Sequence, residues 1–461
     1  MKSTCPRLVI AGTGSGVGKT SIALGLARAL ADRGLRVQTF KVGPDFLDPS
    51  HLAVASGRTC YNLDGWMTSL AYVRQLFARA AADADIAVIE GVMGLFDGAS
   101  PRTIEGSTAE IALWLDAPVL LVAHAHGVAR SLAATVRGFA EFQPGLRVAG
   151  VIANRGGSAR HRAWLSESLA GVATAPLVGM FARESLAALP GRHLGLVAAE
   201  HAGLSGEVYA RLAAACSQHL DLAAIVALAQ SAASFDVEEP SSPTLAARRI
   251  RVGIARDEAF HFYYPDNLEA LAGRGVEWVP FSPLADAHLP DDLDGLYFGG
   301  GYPELHPGRL AENSGMLADV RRFAASGRVV YAECGGLMYL GQTLTDMDGA
   351  SHALAGVLPI RTAMLPRLKT LGYAEVSWTT DVLWGSTGQT ARGHEFHYSE
   401  ITGRDESADR WQPAYTVCRR GEEPVTGGLC RGNVTAGYVH LHWASRPEAA
   451  RHFVSCCENA R

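Results

Sequence analysis

Two separate stretches of this chain carry residues whose types and spacing can do chemistry. The first is GTGSGVGKTS, beginning at Gly12, which follows the apolar run RLVIAG and precedes the helix-compatible IALGLARALADRG. Its glycines therefore stand at a strand-to-helix turn. Gly12, Gly14, Gly16 and Gly18 let backbone N–H groups converge on phosphate oxygens, and the start of the helix adds a favourable dipole. Lys19 supplies a point charge, and the Thr20 hydroxyl can ligate Mg2+. Five residues separate Gly12 from Gly18, one more than in the commonest phosphate-loop pattern. A glycine turn that binds nothing would have no need of the strand, the helix, the lysine and the threonine together.

Acids for a nucleotide-bound metal are also in place. Asp45 and Asp48 lie in KVGPDFLDPSH, and Glu90 ends the apolar run IAVIE, where a Walker-B-like acid belongs. All three fall at the carboxyl ends of expected parallel strands, the edge where such sheets bind ligands. Asp45 and Glu90 are the preferred ligands. For Asp48 a solvated loop charge is as good a reading. Lys41 can offset phosphate or substrate charge, although a lone lysine is more often a surface residue.

The second stretch is VVYAECGGLMYL, which puts Cys334 between an apolar run and an expected helix with Gly335 and Gly336 immediately after. A sharp strand-to-helix turn projects a nucleophile from the sheet, and the helix start is expected to lower the thiol pKa. Upstream, GLYFGGGYPE offers backbone N–H groups around Gly300 and Gly301 as an oxyanion hole. The general base should come from GYVHLHWAS, where His440 and His442 stand two apart on an expected strand and only one is expected to serve Cys334. A buried, inert thiol is the usual fate of a free cysteine, and the other seven cysteines take that reading.

The elements that must position these residues form two series. RLVIAG, RVQTFKVG from Arg36, IAVIEGV from Ile86, PVLLVAHAH from Pro118 and VAGVIANR from Val148 read as buried parallel strands separated by helical stretches. Ser107 and Glu110 stand in capping-box relation before a helix. The segment QSAASFDVEEPSSPTLAARR, from Gln230, reads as a linker, after which RVGIARD, GLYFGGGYPE and RVVYAECGG restart the alternation. The fold class is α/β, with domains over 1–230 and 250–461 and a linker over 231–249.

Bulk properties narrow the partners. A net charge of -5 over 461 residues offers no general positive field for nucleic acid. No apolar stretch approaches the roughly 18 residues of a membrane helix. None of the eight cysteines forms a CxxC pair, and the N-terminal residues do not read as an export signal, so a reduced, cytoplasmic setting is expected.

Taken in order, the phosphate loop, KVGPDFLDPSHL, IEGVMGLFDG, GGYPE, ECGGLMYL, GHEFHYSE and YVHLHW resemble the cobyrinic acid a,c-diamide synthases over essentially the whole chain. The first half is also similar to dethiobiotin synthetase, a P-loop NTPase-like fold, and the second to class I glutamine amidotransferases, which are flavodoxin-like. The resemblance implies that ATP and glutamine are consumed to amidate two acetate side chains, a and c, of cobyrinic acid or a related corrinoid, through an acyl phosphate. It implies Thr20, Asp45 and Glu90 as metal positions, Lys19 and Lys41 at the nucleotide site, and Asn154 as a residue that can read adenine. It also implies Cys334 as nucleophile and His440 as its base.

One departure stands out. Many class I enzymes carry a glutamate two residues after that histidine, where this chain has His442, so a Cys–His dyad is implied. GHEFHYSE, with His394, Glu395 and His397, marks the same branch without an assigned step. A homodimer is compatible with the sequence and not required by it. The cobalt-free ring, hydrogenobyrinic acid, and a nickel tetrapyrrole are alternative substrates. A nucleotide-dependent switch with a C-terminal binding module is the alternative from another class. Against the switch, the residues between Gly12 and Gly18 include no early lysine.

Overall fold

A computed structural model of the chain describes residues 2–170, 175–187, 191–192, 195–196, 199, 206–238, 245–405 and 410–460. Two compact units divide it, Met1–Pro240 and Ser241–Arg461.

The first unit is built on seven strands: β1 (Arg7–Gly12), β2 (Val37–Val42), β3 (Tyr61–Leu63), β4 (Ile86–Glu90), β5 (Val119–His124), β6 (Val148–Gly156) and β7 (Leu177–Ala182). They pair in the order β3-β2-β4-β1-β5-β6-β7, all parallel. Successive residues serve opposite faces, as strand geometry requires. Val9, Ala11, Phe40 and Ile89 pack against helices Leu70–Ala80, Thr108–Trp114, Arg130–Phe142 and Ala159–Ala170. Leu8, Ile10, Val37 and Val88 pack on the other side against Lys19–Ala31, Leu47–Ser56, Gly206–His219 and Leu222–Gln230. Burial on both faces is why these strands read as continuous apolar runs.

The chain runs from β1 outward to β2 and β3, returns to insert β4 between β2 and β1, and then continues on the far side with β5. This reversal is a topological switch point, and the loops after β1, β2 and β4 meet there. Register sets Lys41 directly beside Glu90.

Two local expectations take a different form. Ser107 Oγ accepts from the Glu110 N–H at 3.3 Å, but the Glu110 carboxylate reaches back to the Gly106 N–H at 2.8 Å rather than to Ser107. Ser107 spends its own N–H on the Ile104 carbonyl. Within the stretch read as linker, Phe235–Asp236 forms a short strand antiparallel to Lys2–Ser3. Phe235 is buried there, with the Arg7 guanidinium 4.7 Å from its ring centroid. Residues 239–244 of that stretch lie outside the described residues.

In the second unit, β8 (Ile250–Ala255), β9 (Val276–Phe281), β10 (Gly295–Phe298), β11 (Val329–Glu333) and β14 (Val434–Gly437) form a parallel sheet in the order β9-β8-β10-β11-β14, with Leu429–Arg431 antiparallel at the β14 edge. A five-stranded antiparallel sheet adds β12 (Thr370–Trp378) and β13 (Thr390–His397), flanked by Tyr415–Cys418 and Val425–Gly427 on one side and by β15 (His440–Leu441) on the other. GHEFHYSE begins in β13 and passes after His397 into the strand Ser399–Arg404 of another sheet, and His394 pairs with His440 of β15.

Helix contacts in the first unit leave no room at Gly25. A Cβ there would lie 2.6 Å from Cys216 Sγ and from the Leu212 carbonyl oxygen, whereas one at Gly138 would meet nothing within 4 Å. Gly25→Ala should therefore lower stability by about 1–3 kcal/mol, and Gly138→Ala should raise it by about 0.4–1 kcal/mol. Urea midpoints of the two variants would check this; equal midpoints would contradict the packing described.

Candidate active sites

The turn after β1 is held from several sides. The Leu95 N–H donates to the Gly12 carbonyl at 2.9 Å and the Thr13 N–H to Val122 at 3.0 Å. The Asn154 amide donates to the Val17 carbonyl at 2.8 Å, and its oxygen accepts from the Arg155 N–H at 2.8 Å. Both polar ends of Asn154 are thus engaged by protein. Gly18, at φ 99°, caps the helix in a left-handed conformation that only glycine adopts without strain, and a Cβ there would stand 2.3 Å from Asn154 Nδ2. Gly12, Gly14 and Gly16 complete the turn, and Lys19 crosses it to donate to the Gly14 carbonyl at 3.2 Å and to Met93. Burial, and then the charge of Lys41, hold Lys19 below the ordinary lysine range.

Beside this turn lies a largely buried cluster of one lysine and three carboxylates. The Lys41 ammonium is 2.6 Å from Asp48 Oδ2, 3.2 Å from Glu90 Oε1 and 4.0 Å from Asp45 Oδ2. Burial alone would depress Lys41, but these three carboxylates outweigh it and raise its pKa. The Thr20 hydroxyl donates to Glu90 Oε1 at 2.6 Å and lies 3.5 Å from Asp48 Oδ2. Asp45 uses Oδ1 to accept from the Leu47 and Asp48 N–H groups at 2.8 and 3.0 Å, fixing the start of helix Leu47–Ser56. Asp48, set below Asp45 on sequence grounds, is thus the aspartate nearer both Thr20 and Lys41. Burial lifts Glu90 to about 7 despite Lys41, and burial with the charge of Asp48 lifts Asp45 to about 6. Asp48 resists burial through its ion pair with Lys41 and stays low.

Glu90 Oε2 is buried without a hydrogen-bond partner among the described residues. An orphaned carboxylate oxygen next to a threonine hydroxyl and a second carboxylate fits a hard, oxygen-seeking cation. Among the described residues no three His, Cys, Asp or Glu side chains form a metal cage. A nucleotide-bound Mg2+ does not need one, because it takes one or two carboxylates and draws its other ligands from phosphate and water.

In the second unit, Cys334 follows β11 with φ 48° and ψ -101°, and helix Gly335–Leu340 begins at once. Close contacts crowd the glycines nearby. A Cβ on Gly336 would lie 2.5 Å from the Phe298 carbonyl oxygen, one on Gly335 would lie 3.2 Å from the Gly301 nitrogen, and one on Gly300 would lie 2.3 Å from His440 Cε1. The nucleophile turn, the glycine run and His440 therefore converge. The Gly335 N–H also points to the sulfur.

Electrostatics there differ from the sequence expectation. Burial, followed by the charge of Glu304, pushes the Cys334 thiol up rather than down. The helix behind it has only six residues, all buried, and desolvation of a thiolate outweighs its favourable end. Burial, and then His397, hold His440 down at about 3, so it is a neutral imidazole. Thiol and base both rest uncharged.

His440 and His442 do not share a long strand. The paired strand ends at Leu441, and His442, its backbone still extended, caps the turn Trp443–Ser445. His442 Nε2 lies 3.3 Å from Asp266 Oδ2, and both side chains are buried. His394 stacks on His440 with centroids 5.0 Å apart, and its Nδ1 meets the Tyr264 hydroxyl at 3.0 Å. Glu395 pairs with Arg419 at 2.5 Å, and His397 stacks on Tyr438 at 3.9 Å.

Glu333, the residue before the nucleophile, is a site residue that the motifs do not single out. Its carboxylate accepts from the Tyr331 hydroxyl at 2.7 Å, the Tyr297 hydroxyl at 3.0 Å and the Leu441 N–H at 3.1 Å, and Oε2 lies 3.8 Å from His440 Nδ1. An acid ending an apolar strand was the available signal.

Comparison with known proteins adds an independent line. Residues 8–197 match the model of the CobQ/CobB/MinD/ParA nucleotide binding domain, and residues 251–448 match the CobB/CobQ-like glutamine amidotransferase domain. Among similar proteins, one from Syntrophotalea carbinolica is 55% identical, covering 98% of this chain and 99% of its own length. One from Leptospira interrogans serovar copenhageni is 42% identical, covering 99% of each. One from Salmonella typhimurium is 41% identical, covering 97% of each. All three are named cobyrinate a,c-diamide synthase.

The cluster around Lys41 makes a stability prediction. Lys41→Met strands the half-buried Asp48 and the fully buried Glu90 and should cost about 3–5 kcal/mol near pH 8. In the parent protein Glu90 sits at about 7, above its ordinary 4.5, so its contribution to folding is full below about 4.5 and lost as pH rises through 7. Without the ammonium that loss is larger, and the deficit of Lys41→Met should shrink as pH falls toward 5. Urea midpoints against pH would check this; a pH-independent deficit would contradict it.

Proposed function

The chain belongs to the cobyrinate a,c-diamide synthase family, and on that premise we propose how its residues share one reaction. It is a glutamine-hydrolysing carbon–nitrogen ligase of cobalamin biosynthesis with an ATP-binding unit. In the finer reading, the a and c acetate carboxylates of cobyrinic acid are amidated in turn, each at the expense of one ATP and one glutamine. A carboxylate is a poor electrophile at neutral pH, so a leaving group has to be installed first. One carboxylate oxygen attacks the γ-phosphorus, the bond to the β-γ bridging oxygen breaks, and ADP leaves. Ammonia then attacks the acyl carbon, loses a proton, and inorganic phosphate departs.

The turn Gly12–Gly18 and Lys19 bind the phosphates, and Lys41 offsets the charge that gathers as carboxylate and phosphate approach. Asn154 keeps the turn in shape by holding Val17. Thr20, Asp45 and Glu90, with Asp48 added by its contacts, would hold Mg2+, which when bound supplies positive charge to the phosphate oxygens. In the other unit His440 takes the Cys334 proton, the thiolate attacks the γ-carboxamide of glutamine, and the leaving ammonia takes that proton. Water then hydrolyses the γ-glutamyl thioester to glutamate. A strained turn that carries a buried thiol toward a neutral buried histidine, in one chain with a phosphate turn backed by acids, is the observation that carries this reading. Free cysteines throughout favour work in the cytoplasm.

Cys334→Ser tests it. Glutamine-driven amidation should fall by about 10³-fold or more, while amidation driven by added ammonium chloride persists; Lys19→Met should abolish both. Each is assayed with ATP, Mg2+ and cobyrinic acid, hydrogenobyrinic acid or a nickel tetrapyrrole. Equal loss of both nitrogen sources in Cys334→Ser, or no turnover of any tetrapyrrole acid by the parent enzyme, would end the reading.

A further inference from the structure

We propose that Glu333 is the acid that positions His440, supplied by the residue immediately before the nucleophile instead of the position two residues after the histidine. The inference rests on Cys334 and His440 performing glutamine hydrolysis, as proposed above. At position 442 the chain carries a histidine that is committed elsewhere. Its Nε2 faces Asp266 at 3.3 Å, and its Nδ1 accepts from the Ala444 N–H at 3.3 Å. Glu333, by contrast, approaches the ring nitrogen that an orienting acid addresses, with Oε2 3.8 Å from His440 Nδ1 and both side chains at least 96% buried.

What holds that carboxylate makes it more than a neighbour. Three donors converge on its two oxygens: the hydroxyls of Tyr331 and Tyr297 and the N–H of Leu441. Leu441 follows His440 in the same short strand, so one bond fixes the acid relative to the base. The spacing of 3.8 Å exceeds a hydrogen bond but suits an ion pair, and catalytic contacts are commonly long in a resting enzyme. A carboxylate beside Nδ1 keeps the proton on that nitrogen and leaves Nε2 to accept the thiol proton. When His440 becomes an imidazolium in this water-poor setting, the nearby negative charge stabilises it. Glu333 gives up and takes up no proton through the cycle.

A purely structural duty is the alternative, since the same carboxylate satisfies two buried tyrosines. Glu333→Gln separates the two because an amide keeps an oxygen for the hydroxyls and loses the charge. In the full-length enzyme, kcat for glutamine hydrolysis should drop by about 10²–10⁴-fold with KM for glutamine unchanged. Ammonium-driven amidation should stay at the parent rate, and inactivation of Cys334 by iodoacetamide at neutral pH should slow in step with kcat. Glu333→Asp should recover part of the lost kcat. A Glu333→Gln enzyme with parental kcat overturns the inference. So does a loss shared equally by ammonium-driven amidation, with a lowered melting temperature and no recovery by aspartate. Should Glu333→Gln fail to fold, Glu333→Asp decides: a reduced kcat at unchanged KM supports the role, and the parental kcat rejects it. A parent enzyme that hydrolyses no glutamine would instead bring down the reading on which this rests.

Discussion

Both chemistries depend on one backbone constraint, a parallel strand that must turn into a helix where there is no space for a side chain. After β1 the constraint falls on Gly12 and Gly18, whose absent Cβ atoms would lie 2.6 Å from Val17 and 2.3 Å from Asn154. Backbone N–H groups are thereby free to face phosphate. After β11 it falls on Gly335 and Gly336, and the reactive residue itself takes the strained conformation. A non-glycine residue at φ 48° costs on the order of 1–3 kcal/mol. Cys334 is kept there by its N–H bond to Gly437 at 2.8 Å and by the Gly336 bond to Gly299 at 3.1 Å. The strain lifts the sulfur out of the sheet.

Each turn is then matched by an acid that ends a buried strand. Glu90 closes β4, where Lys41 and the Thr20 hydroxyl compensate it; Glu333 closes β11, where two tyrosine hydroxyls and a backbone N–H do so. Burial raises both carboxyls to about 7, which keeps them responsive to charge arriving nearby. The two sites differ in their resting charge. The first site holds lysines against carboxylates, whereas the second rests as a neutral Cys334–His440 pair, which on the proposed function becomes charged only as glutamine reacts.

Much of this was legible in the residues because parallel strands buried on both faces leave an unambiguous trace. RLVIAG, IAVIE and VVYAE are β-strands at the positions read for them. Strands with one mixed face left a weaker trace: TLGYAEVSW alternates buried with half-exposed residues, and β3 has only three residues. Phe235 was hidden among small polar neighbours, though its contact with Arg7 draws the stretch into the first unit's core. Asp48 was undervalued because its distance to Lys41 is a tertiary fact. Glu333 carries the same sequence signal as Glu90, an acid at the end of an apolar strand, but its approach to His440 is a tertiary contact that the sequence does not display. The rise in the Cys334 pKa could not be read from a helix start, since desolvation depends on what the fold packs around the sulfur.

The proposed function has the two turns perform halves of a single reaction. Glutamine labelled with 15N in its amide, combined with cobyrinic acid labelled with 18O in its a and c carboxylates, tests this in one mass-spectrometric measurement. The account predicts one 15N in the product and one 18O in inorganic phosphate for every amide formed. Label in AMP, or 18O that never reaches phosphate while 15N enters the product, would contradict it.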